Sequence, residues 1–290
     1  MPSQAKESDS EKMSGNWTED VLEGAAAPVP VRIYRGGGSL LTPPPLVLHL
    51  HGGMFLGGSL PEGQNVATQL AEAGAVVVAA DYSEANKHPF PKALELTFNL
   101  LGSLWRLRAK LADRKSALYV AGEEAGGNIA AGLALMVRDQ CVDGLKGQIL
   151  LSPMLDPCMA TSSFRKEETS SKGCRWSEGW NRYLGFAANA CHPYAAPAYC
   201  ERLARVAPAL VVTAEDDPLR DESLNYAKRL RQAGVRVSEH VLPGPTGWPA
   251  TYSRAAEAEP RWAGALREFF TQFFRETGAF SNLEFQPDRA

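Results

Sequence analysis

Seven short apolar or β-branched runs set the architecture of this chain: 29–34, 46–50, 75–80, 117–121, 148–151, 209–213 and 235–242. Most are apolar at successive positions, where a strand with one wet face would alternate with polar residues, so they read as strands buried on both sides. Helix-like stretches lie between them at 61–72, 91–111, 125–138, 221–233 and 260–274. Such alternation predicts an α/β protein with a mainly parallel central sheet and helices on both faces. In sheets of this kind, ligands bind beyond the carboxyl ends of the strands.

The segment 157–204 interrupts the alternation, being rich in Ser, Lys, Cys and aromatic residues between two core strands. It reads as a small lid inserted into a single domain spanning 21–278, with an arm at 1–20, disordered or lying on the cap, and a tail at 279–290. Within the lid, Trp176, Trp180, Tyr183 and Phe186 follow at spacings of four, three and three, which puts their rings on one helical face. That face is expected to pack the lid onto the body and to roof the pocket below it.

At 290 residues, 44% hydrophobic and 22% charged, the composition is that of a globular protein. A formal net charge of -3 supplies no basic excess for nucleic acid or anionic lipid. No stretch approaches the roughly 18 apolar residues of a membrane span, and the polar N-terminus has no secretory apolar run, so a cytoplasmic protein is expected. The five cysteines lack the short spacing of paired zinc ligands and read as free thiols, with no metal expected. No glycine-rich nucleotide loop opens a helix, so no cofactor is expected either. The expected partner is a small molecule, and a homodimer is left open.

Two glycines follow directly on the run PLVLHL, in His51-Gly52-Gly53-Met54-Phe55. Their N–H groups, unobstructed by side chains, are candidates to hold an oxyanion at the end of a strand. Beside them stand Gly57-Gly58-Ser59, Asp81-Tyr82, His88-Pro89-Phe90-Pro91, Gly126-Gly127-Asn128, Leu151-Ser152-Pro153 and Asp217-Pro218-Leu219-Arg220-Asp221-Glu222. This series resembles the hormone-sensitive-lipase branch of α/β-hydrolase-fold esterases, with their H-G-G-G-F motif and H-P-F-P run, over about residues 30 to 270. The resemblance implies an α/β-hydrolase fold and a Ser-His-Asp site.

The nucleophile elbow of that family, G-x-S-x-G, appears here as Gly122-Glu123-Glu124-Ala125-Gly126, with Glu124 at the Ser position. The family's His position falls on Thr246 or Gly247, within Pro243-Gly244-Pro245-Thr246-Gly247-Trp248, and its acid is matched by Asp217. Glu123, His49 and His51 read as structural and His88 as packing; His192 and His240 are the remaining candidates to substitute for the missing base. Gly52, Gly53 and Ala125 are the candidate oxyanion donors. Met54, Phe55, Trp176, Trp180, Tyr183 and Trp248 are the candidate pocket and lid residues.

Loss of Ser or His from such a triad costs on the order of a million-fold in turnover, leaving about 10³ to 10⁴ over water. The residues therefore lead to an enzyme that does not hydrolyse esters. Glu124 would act as general base or acid beside the oxyanion donors, in an elimination, isomerisation or cyclisation of a small carbonyl compound. The alternatives are a catalytically silent homologue that binds a small ligand, like a receptor, and an esterase with a non-standard site.

Overall fold

The computed structural model describes residues 17–23, 28–37, 41–142, 144–166, 171–251 and 259–279. The strands are β1 (Trp17–Glu23), β2 (Pro28–Arg35), β3 (Leu46–Leu50), β4 (Val76–Ala80), β5 (Leu118–Glu123), β6 (Leu145–Leu151), β7 (Ala209–Ala214) and β8 (Val237–Leu242). They form one sheet in the order β1-β2-β4-β3-β5-β6-β7-β8. The β1–β2 and β2–β4 pairings are antiparallel and the rest parallel. The helices are α1 (Gln64–Glu72), α2 (Ser83–Asn86), α3 (Lys92–Leu111), α4 (Glu124–Asp139), α5 (Ser162–Arg165), α6 (Ser171–Leu184), α7 (Arg220–Gln232) and α8 (Ala263–Ala279).

Successive side chains of a strand point to opposite faces, so the apolar run of β3 serves two cores at once. Leu46, Leu48 and Leu50 enter one cluster and Val47 the other. The first cluster is closed by α3, α4 and α7 through Leu100, Leu104, Ile129, Leu133 and Leu230. The second is closed by α1 and α8 through Val66, Leu70, Leu266 and Phe270. Each fully buried Leu or Phe contributes about 1.5 to 3 kcal/mol, which is why helices on both faces are obligatory for strands this apolar.

Register brings the strand ends level. Leu50 lies opposite Gly122, and Leu151 opposite Glu123. The turns leaving β3, β5 and β6 therefore emerge side by side at one edge.

Strand β1 departs from the expected arm at 1–20. WTEDVLE buries only Leu22 and has no apolar periodicity; it is a strand because its backbone pairs with β2 from Trp17↔Tyr34 to Glu23↔Pro28. The Arg32 guanidinium lies over the Trp17 ring, 4.0 Å from its centroid. Residues 1–16 of the arm and 280–290 of the tail lie outside the described residues. In the lid, α6 ends at Leu184, so Phe186 leaves the shared aromatic face and is exposed. Among the described residues no helix is long and apolar enough to cross a membrane.

The start of α4 presses against the end of β3. A Cβ on Gly126 would lie 2.0 Å from the Leu50 carbonyl oxygen and 2.5 Å from that of His51. Both are backbone atoms, so the clash is relieved only by separating helix from strand. Gly126→Ala is expected to abolish the cooperative thermal transition seen by circular dichroism. Gly102→Ala, inside α3 with its nearest neighbour at 3.5 Å, is expected to stabilise by about 0.5 to 1 kcal/mol.

Candidate active site

β5 runs straight into α4 through one residue. Glu123 is still extended, with φ -110° and ψ 145°, while Glu124 has φ +52° and starts the helix. A left-handed backbone at a residue with a side chain costs on the order of 1 to 2 kcal/mol. The bend is tight enough that a Cβ on Gly122 would meet the Gly126 carbonyl oxygen at 2.3 Å. The Met154 N–H, beyond β6, donates to the Glu124 carbonyl at 3.0 Å and ties the bend to the next strand.

The Glu124 side chain is 6% exposed and makes no ion pair among the described residues. Its Oε2 accepts hydrogen bonds from the Gly53 N–H at 2.9 Å and the Met54 N–H at 3.3 Å. Its Oε1 accepts from Trp176 Nε1 at 3.0 Å. Burial pushes the carboxyl above its ordinary value; the bonds from Trp176, Gly53 and Met54 pull the other way, and the charge of Glu123 adds to the rise.

These donors differ from those expected. The Gly52 N–H turns away and donates to Glu123 Oε1 at 3.3 Å. Ala125 is buried in the first turn of α4, and its N–H makes no hydrogen bond to the Glu124 carboxylate. Met54 takes their place because the turn after β3 continues through left-handed Met54 and Phe55, with φ 55° and 58°. A side-chain reading of Met54 hides its N–H, and only the glycine pair just before it hinted at a turn.

Behind the bend, Glu123 Oε2 and His49 Nε2 form a fully buried pair at 2.7 Å. Glu123 thus faces away from the cavity and anchors Gly52. His51 Nδ1 bonds the Gly52 carbonyl at 2.8 Å, and its ring stacks on Tyr82 with centroids 4.4 Å apart. Burial lowers the His51 pKa, which keeps the ring neutral. His240 stacks on Phe269 with centroids 3.8 Å apart, and His192 lies between Phe90 and Tyr194. Among the described residues no histidine hydrogen-bonds Glu124 or Asp217.

Asp217 is buried and bonded elsewhere. It accepts from Thr213 Oγ1 at 2.6 Å, from the Leu219 N–H at 2.9 Å and from Ser152 Oγ. Burial pushes its carboxyl up, against those bonds. Thr246 and Gly247 turn to its neighbour, Asp216, which sequence reasoning passed over. Asp216 takes the Thr246 N–H, the Thr246 hydroxyl and the Gly247 N–H, each at 2.8 Å. Burial raises the Asp216 carboxyl, but those bonds outweigh it and hold it below the ordinary value.

A cavity of about 340 Å³ opens above Glu124, with Met54, Leu56, Trp176, Pro249 and Ala250 among its walls and Glu62 and Arg175 also lining it. Met54 and Trp176 thus line the pocket as expected residues of it. Phe55, Trp180 and Tyr183 do not; Phe55 stacks on Tyr183 at 4.0 Å and packs on Trp180 at 5.1 Å, fixing α6 to the body. Trp248 is also corrected, since it is buried in the core on the other face of the sheet, edge-on to Trp262 at 5.8 Å.

Comparison with known proteins places this geometry among hydrolases. The model of an α/β-hydrolase-fold family matches residues 47–246. Esterase LipI of Mycobacterium tuberculosis is 30% identical over 85% of this chain and 80% of its own length. Carboxylesterase NlhH of the same species is 31% identical over 82% and 78%. Among solved structures, the hyperthermophilic esterase of Pyrobaculum calidifontis superposes with a TM-score of 0.75 at 30% identity, covering 91% of this chain and 86% of that one. Esterase LipW of Mycobacterium marinum gives 0.76 at 33% identity, covering 91% and 82%. These relatives are named for ester hydrolysis. The expectation of a non-hydrolytic lyase, isomerase or cyclase, with its silent ligand-binding alternative, is corrected by them: they point to ester hydrolysis and lend that chemistry no support.

Helix α6 rests directly on the donor turn, where a Cβ on Gly179 would fall 1.7 Å from the Met54 carbonyl oxygen. Gly179→Ala must lift the helix and with it the Trp176 bond to Glu124. A lowered Tm together with red-shifted tryptophan emission is the expected result; unchanged emission would mean that α6 is not seated there.

Proposed function

We propose, since this chain belongs to the α/β-hydrolase-fold family, that it hydrolyses small carboxylic esters in the pocket above Glu124, with that carboxylate delivering a water where relatives of this kind use a serine. The observation that carries the reading is the convergence of the Gly53 and Met54 N–H groups on one carboxylate oxygen. Two N–H groups that hold a negative oxygen there suit the carbonyl oxygen of an ester as it becomes an oxyanion. Relatives named as esterases support ester hydrolysis itself, and the motif spacing that sets Glu124 at the serine position supports its role as the base.

The ester carbonyl displaces Glu124 Oε2 from the two donors, and the freed carboxylate, with Oε1 still on Trp176 Nε1, faces a water beside the carbonyl carbon. Glu124 takes a proton from the water as its oxygen bonds to carbon. The tetrahedral oxyanion then collapses, the carbon–alkoxide bond breaks, and Glu124 returns the proton to the leaving alcohol. Asp217, held by Ser152, Thr213 and Leu219, braces the turn after β7 and takes no part in proton transfer. A positioned base contributes about 10² to 10⁴ and each oxyanion donor about 10² to 10³, so the turnover expected is well below that of a Ser-His pair.

Hydrolysis of p-nitrophenyl acetate, followed by the absorbance of the released nitrophenolate, tests the reading. Glu124→Gln is expected to lower kcat about 100-fold or more. Only the ionised carboxylate is a base, and burial raises its pKa. The rate should therefore fall as pH drops through a value above that of an ordinary carboxylate. Turnover untouched by Glu124→Gln, or no turnover above the solution rate, would refute the proposal.

A further inference from the structure

The pocket holds a charge that the hydrolytic step leaves unused. Among the described residues Arg175 is the one cationic residue lining it, and there it has no hydrogen bond or ion pair. Arginines elsewhere do pair, with Arg32 on Glu19, Arg220 on Asp221, Arg231 on Glu239 and Arg267 on Glu72. Its neighbour Trp176 reaches the floor of the cavity, where it holds Glu124. Consecutive helical residues diverge by about 100°, so the same turn of α6 that fixes Trp176 on the floor presents Arg175 at the exposed rim. Met54, Leu56 and Pro249 give the same cavity an apolar part of its lining.

Resting on the ester-hydrolysis reading of this site, we propose that the preferred substrate is an ester whose far end carries a carboxylate, and that Arg175 is the residue that selects it. Charge fixes the orientation. The floor already holds the Glu124 carboxylate and repels a second one, so the ester group goes down and the carboxylate stays at the rim. A guanidinium offers a carboxylate paired N–H donors in one plane, which an ammonium does not. Glu62, also lining the pocket and bonded to Ser59 Oγ at 3.0 Å, disfavours a second negative charge and so favours monoanions.

Binding and turnover separate this inference from the reading beneath it. Calorimetry on the full chain would compare 4-butyramidobenzoate, a non-hydrolysable carboxylate, with its neutral twin 4-butyramidobenzamide. The carboxylate is expected to bind about tenfold more tightly, the order of one charge-assisted hydrogen bond. Added salt should narrow the gap. Arg175→Ala should erase it, and Arg175→Lys should keep part of it. The butyrate esters of 4-hydroxybenzoate and 4-hydroxybenzamide should show the same preference in kcat/KM, carried by KM. Equal affinity for the twins, no binding of either, or a preference that survives Arg175→Ala would overturn the assignment. A preference in binding with neither ester hydrolysed would instead overturn the ester-hydrolysis reading and leave Arg175 as the anion reader.

Discussion

A buried carboxylate without an ion-pair partner persists in a folded protein only where N–H groups replace the water it has lost, and Glu124, which makes no ion pair among the described residues, is held by those of Gly53, Met54 and Trp176. Hydrogen bonds to a charged group contribute about 1.5 to 3 kcal/mol each. They come from separate pieces of the chain, the turn after β3 and the lid helix α6, and meet on a side chain presented by the bend after β5. Turn, lid and bend are thereby held through one group. Desolvation still exceeds what the bonds return, which is why the carboxyl titrates above its ordinary value. The same imbalance makes it a better proton acceptor than a carboxylate in water.

Much of this arrangement is legible in the residues alone. Unbroken apolar strands such as Leu46–Leu50 announce a doubly covered sheet, and the paired glycines of Gly122–Gly126 announce a bend with Glu124 at its apex. What the residues hide is what depends on backbone direction. Strand β1 carries no apolar periodicity and buries only Leu22, because an edge strand is stabilised by its neighbour's N–H and C=O groups more than by its own side chains. Gly52 and Met54 exchange roles because N–H direction follows φ, which no side-chain pattern encodes at Met54. Trp248 adjoins the altered loop in sequence, yet its ring packs on Trp262 on the opposite face of the sheet.

Function was less legible still, and for a chemical reason. The motif reading that sets Glu124 and Thr246 or Gly247 at the serine and histidine positions speaks against one mechanism, the acyl-enzyme route, and its extension to ester hydrolysis as such does not follow. Relatives named as esterases over most of the chain correct the extension. Water can attack an ester directly when a base and an oxyanion site stand together, and the donors of Gly53 and Met54 lie within the same cavity as the Glu124 carboxylate. In the loop after β8, Thr246 and Gly247 pair with Asp216 and not with Asp217.

The shape of the bend at residue 124 is dictated by Gly122 and Gly126, whose missing side chains let helix and strand touch. The residue displayed at the apex contributes nothing to that contact. The carboxylate displayed there instead ties the turn after β3 and the lid helix to the bend, so exchanging residue 124 would alter reactivity and lid seating together while the glycine-made contact of helix and strand stays in place.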